Sequence, residues 1–394
     1  MVSFFLSESF LYLLLASVLA FFTTHGTIPA VIRVAREKHL LEEPNGRSSH
    51  AQKTPCLGGI AIFASLAIVF LLVVPLYPAV AGKSHLILPS LIILFFIGLK
   101  DDILVIDPYK KLVAQLIAAG LLIACANIRI GSLFGLFGVY ELPYLVSFAL
   151  TVFIFVVVIN AYNLIDGIDG LAGSLGVVAA LAFGVYFYVI GVGWATVLCA
   201  TLIGSLLSFL CFNFSDRSKV FMGDSGSLIV GFVLAILAIT FIQVNETANP
   251  YPIANAPTVA IITLAIPLFD ALRVFSQRIL AGHAPFRADR NHVHHFLVDS
   301  GLSHGQATLL LSGLSGAGIV IGFLLVTEAS VGFSFAQLTG AFLIYSLLLR
   351  RNRAIRRSTV FVRKRTAQVQ NQRSLPRAAA QPINVELPVE IEVN

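Results

Sequence analysis

The sequence predicts an all-α integral membrane protein, a polytopic bundle of about eleven transmembrane helices. Three observations lead there. Of 394 residues, 57% are hydrophobic and 12% are charged, about half the charge of an ordinary soluble domain. The apolar residues gather into stretches close to the roughly 20 needed to cross a bilayer. Nearly all Lys and Arg fall on one side of the membrane that those stretches define. This composition excludes a soluble globular enzyme, a disordered chain and a nucleic-acid-binding protein.

The stretches are 5–22, 57–76, 85–99, 112–129, 145–160, 171–190, 194–212, 226–244, 257–276, 306–326 and 331–349. The third is short. The first does not read as a signal peptide, because no basic residue precedes it, it contains Glu8, and ten further stretches follow. An odd number of spans puts the two ends on opposite sides. With the C-terminus cytoplasmic, segments 23–56, 100–111, 161–170, 213–225, 277–305 and 350–394 face the cytoplasm. Of 26 Lys and Arg, only Lys83 and Arg129 then lie outside, and Arg273 sits just inside a span. That bias sets an N-out, C-in orientation. The outer connections, 77–84, 130–144, 191–193, 245–256 and 327–330, leave no room for a folded external domain.

The membrane part occupies 1–349, and 350–394 reads as a basic, disordered cytoplasmic tail. The tail's ten Lys/Arg and three Glu give +7; the sixteen Lys/Arg and seventeen Asp/Glu before it give −1, which together make the +6 of the chain. Its opening, RRNRAIRRSTVFVRKR, either anchors the C-terminus inside or lies on anionic lipid. Cys56, Cys125, Cys199 and Cys211 form no C-x-x-C pair and read as buried, inert thiols.

The acids point to the chemistry. Asp101 and Asp102 are adjacent at the end of a span; Asp166 and Asp169 lie in NAYNLIDGIDGLAGS; Asp224 lies in KVFMGDSGSL; Asp270 lies in IPLFDALRVFSQR. The topology puts all six at cytoplasmic ends of spans. An Asp at a helix centre costs about 2.5–3.5 kcal/mol, so acids at membrane depth are candidates for function. Each motif also has a plainer explanation: a solvated pair at Asp101–Asp102, close helix packing at the glycines around Asp166 and Asp169, an N-cap in GDSGS. Their common side favours one site. Carboxylates gathered in one cleft repel, and a hard cation such as Mg²⁺ relieves this through oxygen ligands. Basic residues share that side: Lys53, Lys111, Arg287, Arg290, His292, His294 and His295. Acids, a divalent cation and a basic rim suit a phosphorylated, anionic substrate.

Together these motifs resemble the polyprenyl-phosphate N-acetylhexosamine-1-phosphate transferases, the superfamily of WecA, TagO and MraY. The matching elements are KTPCLGG (53–59), the Asp101–Asp102 pair, KLVAQ (111–115), NAYNLIDGIDGLAGS (160–174), FNFSDRSKVFMGDSGSL (212–228), PLFDALRVFSQR (267–278) and DRNHVHHF (289–296), in the family's order over roughly 1–350. The resemblance implies ten or eleven spans with a cytoplasmic site. It implies transfer of a sugar 1-phosphate from a UDP-sugar to undecaprenyl phosphate with release of UMP, the first membrane step of a cell-envelope polysaccharide at the bacterial inner membrane. It makes Asp224 the main Mg²⁺ ligand, with Mn²⁺ as a substitute, and sets Asp166 beside the metal. The candidate catalytic set is Asp101, Asp102, Asp166, Asp169, Lys111, His292, His294 and His295. The candidate substrate-binding set is Lys53, Asn163, Asn213, Phe221, Asp270, Arg287 and Arg290. Direct in-line attack by the acceptor phosphate and a covalent aspartyl intermediate both remain open. A homodimer is left open too.

Val293 interrupts the histidine run, which favours N-acetylglucosamine 1-phosphate over the branch that uses UDP-MurNAc-pentapeptide. Other UDP-HexNAc donors remain alternatives. A transporter of an anionic substrate would also have many spans, but it predicts ionisable residues at mid-membrane and repeat symmetry, and this chain shows acids at one face.

Overall fold

The computed structural model describes residues 8–42, 53–73, 86–104, 106–246, 250–282, 291–326, 331–334 and 336–347. The chain divides at Thr339 into two units; of the second, only 340–347 are described, and they are helical. The tail and its proposed contact with anionic lipid lie outside the described residues, as do Arg287 and Arg290.

Helices dominate the first unit, because long apolar runs satisfy their backbone internally only as helices in lipid. They are α1 (Glu8–Glu37), α2 (Gly58–Val73), α3 (Ile87–Leu104), α4 (Pro108–Ala126), α5 (Tyr144–Ile165), α6 (Leu171–Ile190), α7 (Gly193–Asn213), α8 (Gly223–Glu246), α9 (Ala256–Thr263), α10 (Ala265–Leu280), α11 (Val293–Asp299) and α12 (His304–Ile321). Among the described residues, seven helices are long and apolar enough to cross a membrane, or eight if α9 and α10 form one bent span. The chain is therefore a multi-pass membrane protein. Of the other predicted spans, α2 has 16 residues and α3 has 18, with Lys100, Asp101 and Asp102 near its end.

Two elements depart from the expected runs. Helix α1 continues well past residue 22, to Glu37, through Pro29. The stretch 257–276 is not straight: α9 and α10 meet at 80°. Pro267, near the start of α10, cannot donate a backbone bond to the preceding turn, and the break falls at Leu264 just before it.

Helix α8 is the centre of the fold. Every residue from Ser225 to Ile242 is buried, as expected of a helix that is apolar all round. Helices α5, α3 and α2 pack on it, and α1 and α6 pack on α7. Between α1 and α7, Thr24 and Ser205 share a buried 3.0 Å hydrogen bond. Outward faces stay apolar, with Leu71, Phe96, Ile117, Phe153 and Leu181 exposed.

One small strand ladder matters for the site. Leu41–Glu42 pairs antiparallel with Thr54–Pro55. The chain then runs beside 221–222: Phe221 N donates to Pro55 O at 2.8 Å, Gly58 N to Phe221 O at 2.9 Å and Gly59 N to Met222 O at 2.8 Å. KTPCLGG and FMGDSGS are thereby bonded together, though more than 150 residues apart. All four cysteines are free; Cys199 is buried as expected, whereas Cys125 and Cys211 lie exposed on the apolar exterior of their helices.

Candidate active site

The site forms where the end of α3 and the starts of α4 and α8 meet. Helix α4 starts cleanly: Asp107 accepts from Tyr109 N, and Pro108 takes the first helical position. Lys111 follows in the first turn. Helix α8 starts at Gly223, whose φ of 72° favours glycine. A Cβ there would also stand 2.1 Å from Cys56 O and 2.8 Å from Asp102 Oδ1. Close backbone approach does the rest: a Cβ on Gly59 would lie 2.2 Å from Gly226 N, and one on Gly98 2.5 Å from Ser225 Cα.

These contacts set the acids. Lys111 Nζ bridges Asp101 Oδ2 and Asp224 Oδ2. Asn163, in the last turn of α5, donates from Nδ2 to Asp224 Oδ1 at 2.8 Å and to Ser227 Oγ at 2.9 Å. Asp101 Oδ1 accepts from Ile106 N at 2.5 Å. Burial raises the Asp101 carboxyl, but its hydrogen bonds with Asp224, Lys111 and the Ile106 N–H outweigh that and hold it below the usual carboxylate range. Asp102 has a different task. It accepts from Asp224 N at 2.6 Å, Ser225 N at 3.0 Å and Ser225 Oγ at 2.6 Å, and so caps α8 from a neighbouring helix. Burial pushes its carboxyl up to about 7 against those bonds.

A second group lies around the NLIDGIDG turn. Asp166 ends α5 and is half-buried. Asp169 Oδ2 takes Lys219 Nζ at 2.6 Å and His304 Nδ1 at 2.9 Å, and Asp169 O accepts from Thr308 Oγ1 at 2.8 Å. Lys219 Nζ also lies 5.9 Å from the centre of the Phe221 ring. Asn213 accepts from Gly170 N at 2.5 Å and donates to Val220 O at 2.8 Å. It is buried, and its side chain joins two loops.

The histidine segment forms a third group. His292, His294 and His295 are all buried. His292 and His294 stack at 5.6 Å, and His294 and His295 stand 4.3 Å apart. His294 packs on the turn: a Cβ on Gly167 would lie 2.1 Å from its Nε2. Burial, then the neighbouring charges of His295 and His292, push His294 down to about 3, so its imidazole is neutral. Asp270 was expected to touch substrate. It is 1% exposed, and both its oxygens take protein donors. Its burial and these bonds tie it to the histidine segment. Lys53 stands exposed beside the strand ladder.

Among the described residues, no three His, Cys, Asp or Glu side chains form a ready-made metal cage. Mg²⁺ does not need one, since it is usually held by one or two carboxylates with waters and substrate phosphates. Asp101 and Asp224 already converge on one positive charge, and Asn163 adds an amide beside them. The two carboxylates suit a hard divalent cation, and the Asn163 amide N–H holds one of them in place. A lysine flanked by acids at the mouth of a helix N-terminus also suits phosphate.

Several partners escape a reading of motifs alone. Lys219, His304, Arg273 and the serines of GDSGS enter through contacts between distant segments. One pair had a signal: Gln115 and Asn160 are polar side chains within apolar helices, and Asn160 Nδ2 donates to Gln115 Oε1 at 2.7 Å.

Residues 84–242, which contain Asp101, Lys111, Asn163, Asp166 and Asp224, match the glycosyl transferase family 4 model. The chain is 31% identical to the undecaprenyl-phosphate α-N-acetylglucosaminyl 1-phosphate transferase of Salmonella typhi, covering 73% of this chain and 78% of that protein. It is 30% identical to the transferase of the same name from Yersinia pestis, over 81% and 86% of the two chains. With that of Escherichia coli K12 the identity is 30%, over 71% and 75%.

Proposed function

The chain belongs to glycosyl transferase family 4, and from that membership we propose that it transfers N-acetylglucosamine 1-phosphate from UDP-N-acetylglucosamine to undecaprenyl phosphate, releasing UMP. The relatives' shared activity supports the sugar and the acceptor, and the family supports the nucleotide donor. The observation that carries the reading is the convergence of Asp101 and Asp224 on Lys111 at the end of three helices.

The acceptor phosphate oxygen attacks the β-phosphorus of the donor. A new P–O bond forms, the bond from that phosphorus to the bridging oxygen breaks, and UMP leaves with the bridging oxygen. A phosphomonoester has its second pKa near about 6, so the acceptor is mostly a dianion at pH 7 and needs no strong base. Asp101 then orients the acceptor through Lys111. Lys111 offsets the two carboxylates and offers its ammonium to a phosphate oxygen. Asn163 holds the Asp224 carboxylate in place, and Asp102 fixes the start of α8 that carries it. Asp224 and Asp166 would hold Mg²⁺, which when bound offsets charge on the diphosphate. Lys53, Phe221 and the arginines 287 and 290 are left to the donor.

The same reading sets eleven spans, the N-terminus outside, and the site on the cytoplasmic face of the inner membrane, where a water-soluble nucleotide sugar meets a lipid-anchored phosphate. The one-sided distribution of Lys and Arg supports this orientation. The reaction begins assembly of a cell-envelope polysaccharide.

The test is a transfer assay on purified full-length protein with undecaprenyl phosphate, Mg²⁺ and, separately, UDP-GlcNAc, UDP-GalNAc and UDP-MurNAc-pentapeptide, reading UMP and lipid product. Product from UDP-GlcNAc alone is expected. Product only from another donor would overturn the sugar assignment while keeping the reaction. No product from any donor would overturn the transferase reading.

A further inference from the structure

Helix α10 carries a buried ionic group that holds the histidine segment. Arg273 Nη2 donates to Asp270 Oδ1 at 2.7 Å, and both side chains are 1% exposed. Asp270 Oδ2 faces His292 Nδ1 at 2.8 Å, and Asp270 Oδ1 also accepts from Val293 N at 2.9 Å. Arg273 Nη2 reaches the Asn291 carbonyl as well, and Arg273 Nη1 stands 3.5 Å from Gln277 Oε1. One arginine and one aspartate thus grip the chain on both sides of His292.

We propose that Asp270 and Arg273 are positioning residues for His292, fixing its tautomer and its orientation in the transferase site. The argument starts from hydrogen-bond inventory. An ionised carboxylate only accepts, so the Asp270–His292 contact requires the proton on Nδ1 and leaves the lone pair of the neutral ring on Nε2. Arg273 keeps Asp270 ionised and aimed, and its bond to the Asn291 carbonyl fixes the backbone that presents the ring. Removing one member of a buried ion pair leaves the other charge uncompensated, so the pair acts as a unit. Among the described residues, the groups facing His292 are Asp270 and Arg273 from α10 and His294 from its own segment; His295 and, from α12, His304 lie beyond His294. An acid holding a histidine through Nδ1 while Nε2 serves the reaction is a recurrent arrangement. Here the group that holds the acid is itself an arginine one helical turn away.

The inference rests on the placing of His292 in the transferase site, and the experiment separates the two. On purified full-length protein, kcat, both KM values and the pH dependence of kcat/KM are measured for Asp270→Asn, His292→Gln and the double variant. Asp270→Asn keeps the shape but offers an amide that can donate to Nδ1 and reverse the tautomer. Its kcat should fall about 10²-fold or more, within the range that general acid–base residues contribute, with both KM values nearly unchanged. The pH profile of kcat/KM should change with it, because the ring then presents its other nitrogen to the reaction. In the double variant the loss should equal that of His292→Gln alone. Independent, multiplicative losses would overturn the proposal and leave Asp270 a structural residue, as would an unchanged kcat and profile in Asp270→Asn. Full activity of His292→Gln would instead overturn the placing of His292. If Asp270→Asn does not fold, Arg273→Lys carries the same cycle with the same expected non-additivity; it keeps a positive charge beside Asp270 but gives up the guanidinium that holds Asp270 and the Asn291 carbonyl together.

Discussion

Helices α4, α5 and α8 each carry polar groups at both ends, and the two ends use them differently. At one end Lys111, Asn163 and Asp224 meet Asp101, and the lysine stands between two acids. At the other end Glu246, which closes α8, accepts from Gly131 N at 2.8 Å and Ser132 N at 3.1 Å. Arg129 there donates to Ser147 Oγ at 2.7 Å and to Asn127 Oδ1 at 2.9 Å, and lies 5.1 Å from the centre of the Tyr144 ring. Ser147 Oγ in turn donates to Ile130 O at 2.5 Å. The Glu246 end spends its charges on tying down a loop. The Asp224 end gathers two carboxyl groups around one ammonium, Asp101 held below the usual carboxylate range and Asp224 raised by burial and by its contact with Asp101, so its polar groups face one another and not a loop.

The largest expected effect breaks this contrast at Asp224. Asp224→Asn keeps the volume and can keep the Asn163 contact, but it removes the charge that Lys111 and a metal would share. Transfer should drop by about 10³-fold or more, with the thermal unfolding temperature in detergent close to that of the parent. Substantial activity at saturating Mg²⁺ would show that Asp224 is not the main ligand.

Gly59→Ala sharpens the same comparison through the backbone. Its Cβ would stand 2.2 Å from Gly226 N, so α2 and the start of α8 must separate. Overpacking of this kind costs about 1–3 kcal/mol or more, and here it also displaces the turn that carries Asp224. Both stability and activity should fall. A stable, fully active Gly59→Ala protein would mean that the close approach of these helices does not set the site.

Glu246→Ala tests the opposite end. It strands two backbone N–H groups, at about 1–3 kcal/mol for buried donors and less with water access. Unfolding temperature should fall while kcat per folded molecule stays at the parent value. A selective loss of kcat would mean that the loop at 127–143 communicates with the site.

How legible all this was depends on distance along the chain. The acids Asp101 and Asp224 and the residues Lys111 and Asn163 could be named in advance because they stand in charged or polar clusters against an apolar background, where each has a cost that only function or pairing offsets. Their pairing could not be read, since Lys111 and Asp224 are 113 residues apart and only the packing of α4 on α8's neighbours brings them together. Asp102 looked equivalent to Asp101 in sequence; one residue of helical rotation turns it to the α8 N-terminus instead. Asp270 looked like another site acid, and only its burial beside Arg273 and His292 reveals that its oxygens are already in use. The 80° bend at Leu264 was hidden because an apolar run has the same composition whether straight or broken.

The smallest effect concerns His294, which belongs to the Asp224 end but behaves like the structural groups of the other. Its imidazole is buried against Gly167 and held neutral, with its pKa pushed down to about 3 from an ordinary 6.5. The sign follows from proton counting. Between pH 6.5 and 3 the unfolded chain binds a proton at this position and the folded chain does not, so stability is present above 6.5 and is lost as pH falls. From pH 7 to pH 6 the loss should stay below about 1 kcal/mol, given about 1.4 kcal/mol per pKa unit, and it should grow steadily on further acidification. Thermal unfolding of the parent and of His294→Gln across this range measures it: the difference between their curves should narrow or reverse as pH falls, because glutamine cannot take up the proton. A constant difference between pH 7 and pH 5 would mean that the folded chain takes up the proton at His294 as readily as the unfolded one, and that burial against Gly167 does not hold this imidazole neutral.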